Sequence, residues 1–276
     1  MNFRTIADLN DCIMKNIYKV PDTDIVIGIP RSGLLPATLL SLYLNKPMST
    51  LYGFTKGEIY LGGPRGKITK PQIKRVIVID DSVLMGSAMK EAKKILKNQD
   101  IQFYFGAVYA AEKAVNKVDF FFEICPMPRV FEWNLMHHSI LPKCCMDIDG
   151  ILCLDPSHEE NDDGKKYQEF LLETNPLFIP TYPIGCLVSN RLEKYRKETE
   201  IWLGKHGIQY HKLYLAQYPT QKARRIAGEY SKLKSEVYLK EKDTVLFVES
   251  DIRQAADIFK RTGKPVYCLP QHEFFK

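Results

Sequence analysis

Short aliphatic runs and amphipathic stretches alternate along nearly the whole chain. Asp24-Ile-Val-Ile-Gly-Ile29, Arg75-Val-Ile-Val-Ile79 and residues 103–109 are brief, rich in β-branched or aromatic side chains, and bounded by polar residues. That pattern predicts buried strands. Between them, residues 5–19, 34–44 and 87–97 carry helical spacing. The alternation repeats further on. Lys143-Cys-Cys-Met146, Ile184–Val188, Tyr210–Leu213 and Thr244–Val248 predict strands, and residues 190–204, 220–239 and 252–262 predict helices. Continuous rather than alternating apolar strands, interleaved with helices, imply parallel sheets covered on both faces. Ligands of such sheets bind at the carboxyl ends of the strands.

The fold class expected is therefore α/β in two domains, residues 1–140 and 141–276, each a parallel-type sheet with helices on both faces. Cys125-Pro-Met-Pro128 is a turn near the end of the first. There is no internal repeat and no low-complexity tract. The most polar loop is Asp155–Lys166, with five acidic residues.

Charge adds one point. The chain has 276 residues and a formal net charge of +6, and residues 1–140 contribute +5 of it, from 18 basic and 13 acidic side chains. The excess suits a small polyanionic ligand. It is too small and dispersed for a nucleic-acid partner. Seven cysteines without a CxxC pair, two of them adjacent at Cys144 and Cys145, argue for reduced thiols rather than a disulfide framework. The first residues lack the apolar core of a signal peptide, and the longest apolar-rich run, Leu34–Leu44, is too short to span a bilayer. The expectation is a soluble cytoplasmic protein with no transmembrane segment; a homo-oligomer is compatible with it.

Two segments carry the chemistry of the first domain. Gly28-Ile-Pro-Arg31-Ser32-Gly33 joins a strand to a helix. A glycine-flanked turn at a helix N-terminus offers backbone N–H groups to an anion, and Arg31 adds a forked donor for phosphate oxygens. An ordinary βα turn is the plainer alternative. The second segment is Val76-Ile-Val-Ile-Asp80-Asp81-Ser82-Val83-Leu84-Met85-Gly86-Ser87-Ala88. Adjacent acids at the end of a buried strand can hold vicinal hydroxyls or a divalent cation. The Gly-Ser turn after them can cradle a monophosphate.

At these residues the sequence resembles the type I phosphoribosyltransferases over about residues 20–125. The resemblance implies that Asp80 and Asp81 meet the ribose as catalytic-site acids. It implies that Ser82, Val83, Leu84, Met85, Gly86, Ser87 and Ala88 surround the 5-phosphate, and that Gly28, Arg31, Ser32 and Gly33 face the pyrophosphate of phosphoribosyl pyrophosphate. Met85 and Ala88 stand where many members have Thr. Tyr52–Lys70 is the candidate for the family's mobile loop, with Lys56, Arg65 or Lys67 over the pyrophosphate; a solvated basic loop is the alternative.

In the second domain Asp147 and Asp149 lie two apart at the end of an apolar run, so both side chains point to one side. One can attack phosphorus while the other exchanges a proton. An acidic turn is the plainer reading of Asp-x-Asp-Gly alone. Ser189, Lys222 and Val245-Leu-Phe-Val-Glu249-Ser-Asp251 follow in order. The series resembles the haloacid dehalogenase superfamily over about residues 141–276. The resemblance implies Asp147 as nucleophile, Asp149 as general acid/base, and Ser189, Asn190 and Lys222 as phosphate-binding residues. Lys222 is preferred over Arg224, Arg225 and Lys212. Mg²⁺ would be held by Asp147 and Asp149 with Glu249 and Asp251, Glu249 standing where Asp is commoner. About 40 residues separate Asp147 from Ser189, too few for a large cap domain.

Together the two resemblances imply transfer of 5-phosphoribose to an acceptor, then removal of the 5-phosphate. Losing that phosphate makes sense if the product is a ribofuranosyl glycan, so the partner expected is a glycan or lipid-linked saccharide. The rivals are nucleobase salvage beside an unrelated phosphatase, and a module that senses phosphoribosyl pyrophosphate without turnover. Salvage needs an aromatic hood, and Trp133 and the aromatics around Phe120 are read instead as core or interface. The six histidines match no ligand spacing.

Overall fold

The computed structural model describes residues 1–61, 72–97 and 99–276. The chain divides into two compact units, Met1–Trp133 and Asn134–Lys276.

The first unit is built on a five-stranded, wholly parallel sheet. Its strands are β2 (Ile25–Gly28), β3 (Met48–Thr50), β4 (Arg75–Val83), β5 (Gln102–Ala110) and β6 (Phe120–Ile124), in the order β3-β2-β4-β5-β6. Successive side chains of β2 and β4 enter opposite layers, as a doubly covered sheet requires. Ile25, Ile27, Val76 and Val78 pack in one core with Met89, Ala92 and Leu96 of α4 (Ser87–Leu96). Val26, Ile77 and Ile79 pack in the other with Leu9 and Ile13 of α1 (Ile6–Asn16) and Ala37 and Leu40 of α2 (Leu34–Leu44). Helix α1 begins at a capping box, in which Thr5 and Asp8 satisfy each other's backbone N–H groups. The short helix α3 (Leu51–Thr55) follows β3. A separate parallel pair, β1 (Asn2–Arg4) with β7 (Arg129–Phe131), has no counterpart among the expected elements.

The second unit holds a six-stranded sheet, β10 (Tyr210–Ala216), β9 (Ile184–Leu192), β8 (Cys144–Met146), β11 (Leu246–Glu249), β12 (Val266–Cys268) and β13 (Glu273–Phe275), in that order. All neighbours are parallel except β12 and β13. Its helices are α5 (Lys165–Glu173), α6 (Arg196–Lys205), α7 (Gln221–Ala227), α8 (Lys232–Lys240) and α9 (Ile252–Thr262). The single helix expected over 220–239 is two, because the chain turns left-handed at Gly228 (φ 64°). Of the helices between β8 and β9, α5 is the one α-helix described.

All seven cysteines are free and buried. No helix among the described residues is long and apolar enough to cross a membrane.

The packing of β5 on β6 gives a direct test. Gly106 pairs with Phe120, and a Cβ added at Gly106 would lie 2.2 Å from Cζ of that ring. Gly106→Ala should destabilise the first unit by about 1–3 kcal/mol through overpacking. Phe120→Leu in the same chain should recover part of the loss. Urea unfolding with unchanged m checks it.

Candidate active sites

In the first unit β2 ends where Gly28 pairs with Ile79, whereas β4 continues to Val83 beside β5. Asp80 and Asp81 therefore lie inside β4, not past its end as the aliphatic run suggested. They project beyond the edge of β2, where the 28–33 turn comes across. The approach is close. A Cβ at Gly33 would lie 2.5 Å from the Ile29 carbonyl oxygen, 2.8 Å from that of Ile79 and 2.9 Å from Asp80 Oδ1. Only glycine lets the turn and the acid share this space. Within the turn the Pro30–Arg31 peptide is cis, Arg31 is exposed and Ser32 half-buried.

The two acids have different neighbours, as the pleat dictates. Asp80 Oδ1 accepts from the Asp81 amide at 2.9 Å, and Asp80 faces a cavity of about 280 Å³. Burial, with Asp81 next to it, pushes the Asp80 carboxyl well above the usual range. Asp81 Oδ2 accepts from the indole N–H of Trp133 at 2.6 Å. Trp133 stacks on Phe131 with 4.9 Å between ring centroids. An aromatic ring is thus hydrogen-bonded to one of the candidate ribose acids, a role the spacing of Trp133 did not reveal.

The cavity beside Asp80 is lined by every residue of the loop Ser82, Val83, Leu84, Met85, Gly86, Ser87 and Ala88, together with Met89 and Arg129. Gly86 opens α4 without a side-chain cap, so first-turn N–H groups of that helix remain for an anion. Leu84 and Met85 are exposed at 42% and 80%. Of the proposed covering loop, Tyr52–Thr55 belongs to α3 and Lys56 is exposed, while Arg65 and Lys67 lie outside the described residues.

In the second unit β8 pairs with β9 on one side and β11 on the other, and Asp147 follows its last residue. The Asp147 amide extends the ladder to the Val248 carbonyl at 3.0 Å. The chain then turns sharply. Gly150 takes φ +74°, and a Cβ there would stand 2.6 Å from Ser250 Cβ. A cavity of about 360 Å³ opens at this edge, lined by Asp147, Asp149, Ser189, Asn190 and Asp251 of the expected set, with Asp155, Arg224 and Ser250 among others.

Lys222 is exposed and is not among the residues lining this cavity. Two other cations lie closer to the expected residues. Arg224 lines the cavity and donates to the Asn190 carbonyl. Lys234 of α8, 0% exposed, donates to Asp147 Oδ2 at 2.6 Å, Glu249 Oε2 at 2.8 Å and Gln254 Oε1 at 2.9 Å. Burial opposes the ammonium charge, but Asp147 and Glu249 hold Lys234 above its ordinary value. Burial likewise raises Asp147, with Lys234 acting against it and Glu249 and Asp149 acting with it. Lys234 left one sequence signal. It stands with Val237 and Tyr238 at i, i+3 and i+4, a lysine on the buried face of a helix.

Asp149 is bound by Arg191, itself 1% exposed: Nη2 lies 2.6 Å from Oδ1, and Nε lies 3.1 Å from Oδ2. Ser189 is buried within β9, and its Oγ accepts from the Arg191 amide at 3.2 Å.

The four expected metal ligands do not form a ligand set. Glu249 Oε1 accepts from the amides of Ser250 and Asp251 while Oε2 takes Lys234. Both oxygens of Asp149 face Arg191. Asp251 Oδ1 caps α9 through the amides of Arg253 and Gln254, both at 2.9 Å. Among the described residues no three His, Cys, Asp or Glu side chains converge to hold a metal ion. The acidity is balanced in part by Lys234, Arg191 and Arg224. Asp155, which has no ion-pair partner among the described residues, is raised by burial and by Asp149 and Asp147.

No protein-family model matches the chain, and no curated protein sequence matches it. Solved structures similar to it include the xanthine-guanine-hypoxanthine phosphoribosyltransferase of Helicobacter pylori, at 18% identity over 49% of this chain and 92% of that one, with a TM-score of 0.36. The purine phosphoribosyltransferase of Pyrococcus horikoshii is similar at 22% identity over 48% and 92%, with a TM-score of 0.37. The orotate phosphoribosyltransferase of Aeropyrum pernix is similar at 18% over 43% and 69%, with a TM-score of 0.32.

The two lysines separate cleanly in a stability measurement. Lys234→Met leaves Asp147 and Glu249 buried together without their cation and should cost the second unit about 3–5 kcal/mol. Lys222→Met, at an exposed position, should stay within about 0.5 kcal/mol of the parent. Urea unfolding of both variants gives the comparison.

Proposed function

We propose that the first unit transfers 5-phosphoribose from phosphoribosyl pyrophosphate to an acceptor, releasing pyrophosphate, and that the second removes the 5-phosphate as inorganic phosphate. One observation carries this reading. In each unit a buried aspartate at or near the carboxyl end of a central parallel strand lines a cavity: Asp80 in β4 and Asp147 after β8.

In the first step Asp80 and Asp81 position the ribose hydroxyls, the Ser82–Ala88 loop holds the 5-phosphate, and the turn with Gly28, Arg31, Ser32 and Gly33 holds the departing pyrophosphate. The close approach of Gly33 to Asp80, where an added Cβ would lie 2.9 Å from Oδ1, supports one donor reaching both the turn and the acid. In the second, an Asp147 oxygen attacks phosphorus and the leaving oxygen takes a proton. Water then hydrolyses the aspartyl phosphate. Asp149, oriented by Arg191, exchanges protons in both halves. Ser189, Asn190 and Arg224 meet the phosphoryl oxygens, and Lys234 fixes Asp147 from behind. The Mg²⁺ expectation fits this donor set poorly, so no step is assigned to a metal.

A saccharide acceptor explains why transfer and dephosphorylation share a chain, since the ribosyl product no longer needs its phosphate. On this reading the enzyme works in the cytoplasm on a glycan or lipid-linked saccharide. A second reading, nucleobase salvage, is favoured by Trp133, an aromatic ring bonded to Asp81 and stacked on Phe131.

Mass spectrometry decides between them. Incubation with phosphoribosyl pyrophosphate and a panel of glycans and nucleobases should yield a ribosylated glycan. The Asp147→Asn chain should yield the same glycan heavier by one HPO₃ group, and Asp81→Asn should yield neither. A phosphoribosylated base as the sole product would select salvage, and dephosphorylated product from Asp147→Asn would end the two-step reading.

A further inference from the structure

The cavity beside Asp80 contains a cation that the reading above does not use. Arg129 stands on β7, paired with Asn2 of β1, outside the five-stranded sheet. It is 6% exposed and lines the cavity together with the loop that opens α4. Its Nη1 is buried and has no hydrogen-bond partner among the described residues. No carboxylate among the described residues lies within ion-pair distance of it. The nearest compensation is diffuse: the Phe131 ring, 5.4 Å from the guanidinium carbon, and the field of Asp81.

A guanidinium does not escape burial by losing its proton. Buried N–H groups are almost always paired, and an exception calls for an explanation. Here two independent features point into one cavity. One is the ten-residue helix α4, whose N-cap Gly86 supplies no side-chain acceptor for the first turn. The other is the unpartnered nitrogen of Arg129. Both lack the same thing, an anion with several acceptor oxygens. Asp80 lines the same cavity, its carboxyl raised by burial and by Asp81.

We propose that Arg129 is the specificity-determining cation for a phosphate monoester in this cavity, clamping it against the α4 N-terminus and selecting phosphorylated over unphosphorylated pentose. The proposal rests on the phosphoribosyl pyrophosphate reading and adds to it a side chain from the β1–β7 ribbon. The planar fork of Arg can give two parallel bonds to one phosphate; a lysine would supply a single point charge.

The test uses the full chain carrying Asp147→Asn, which keeps the second unit from consuming the probes. Trp133 emission reports locally on the first unit, and the only other tryptophan, Trp202, is fully buried in the second. The probes are ribose 5-phosphate, ribose and inorganic pyrophosphate. Ribose 5-phosphate should bind, and ribose should bind far more weakly. Arg129→Met should weaken ribose 5-phosphate about 10- to 100-fold, as expected for charge-assisted hydrogen bonds. Its affinity for pyrophosphate should change less than about two-fold, and Arg129→Lys should restore part of the loss. Without ligand, Arg129→Met should melt no lower than the parent, because an apolar side chain replaces a buried unpaired charge. Equal affinity of the parent and Arg129→Met for ribose 5-phosphate would overturn the proposal and leave the donor reading standing. Parallel loss of both probes with a lower melting temperature would also overturn it, by making Arg129 structural. If the parent binds neither probe, the donor reading fails and the proposal falls with it.

Discussion

Lys234 is a full positive charge held out of water, and the second unit is arranged so that it can stay there. Strands β8 and β11 are neighbours in register, which delivers Asp147 and Glu249 to the same edge of the sheet. Helix α8 lays its buried face over that edge and inserts the ammonium between them. Gln254 of α9 takes a third N–H. Isolated, a buried ammonium would shed its proton or pull water inward. With two carboxylates it is a fixed cation, and Asp147 acquires a fixed orientation toward the cavity. Arg191 does the same for Asp149 from the other side. Each carboxylate of the Asp-x-Asp pair is thus held by its own buried cation.

The first unit solves a similar problem incompletely. Asp80 is buried beside Asp81 with no cation among the described residues bonded to it, and burial keeps its carboxyl raised. Arg129, on the same cavity, has a nitrogen with no partner among the described residues. A buried carboxyl held toward its neutral form and a buried guanidinium thus line one cavity. Gly33 brings the 28–33 turn so close to Asp80 that a Cβ there would lie 2.9 Å from Asp80 Oδ1.

The elements legible in the sequence were those whose pattern is local. Helices 34–44 and 252–262 match the observed bounds, because their apolar spacing and flanking residues are contained within them. The acids were legible because each interrupts an aliphatic run. Pairings across long separations were not: β1 and β7 are three residues each and lie more than 120 residues apart. Strand β13 runs antiparallel, against the pattern of its neighbours. The cations were the largest omission. Arg129, Arg191 and Lys234 are ordinary charges in sequence, and their meaning comes from burial against partners far along the chain. Lys222 opened a helix in the right order but faces water. The metal set failed for the same reason: sequence order placed Glu249 and Asp149 near the site but could not show Lys234 and Arg191 already bonded to them.

The central claim is that the chain holds one phosphoribosyl pyrophosphate site, in the first unit and independent of the acids of the second. Calorimetric titration with phosphoribosyl pyrophosphate tests it most directly. The account predicts saturable binding at one site in the first unit, lost in Asp81→Asn and retained in Asp147→Asn. Absence of saturable binding by the unsubstituted chain, or its loss in Asp147→Asn alone, would contradict it.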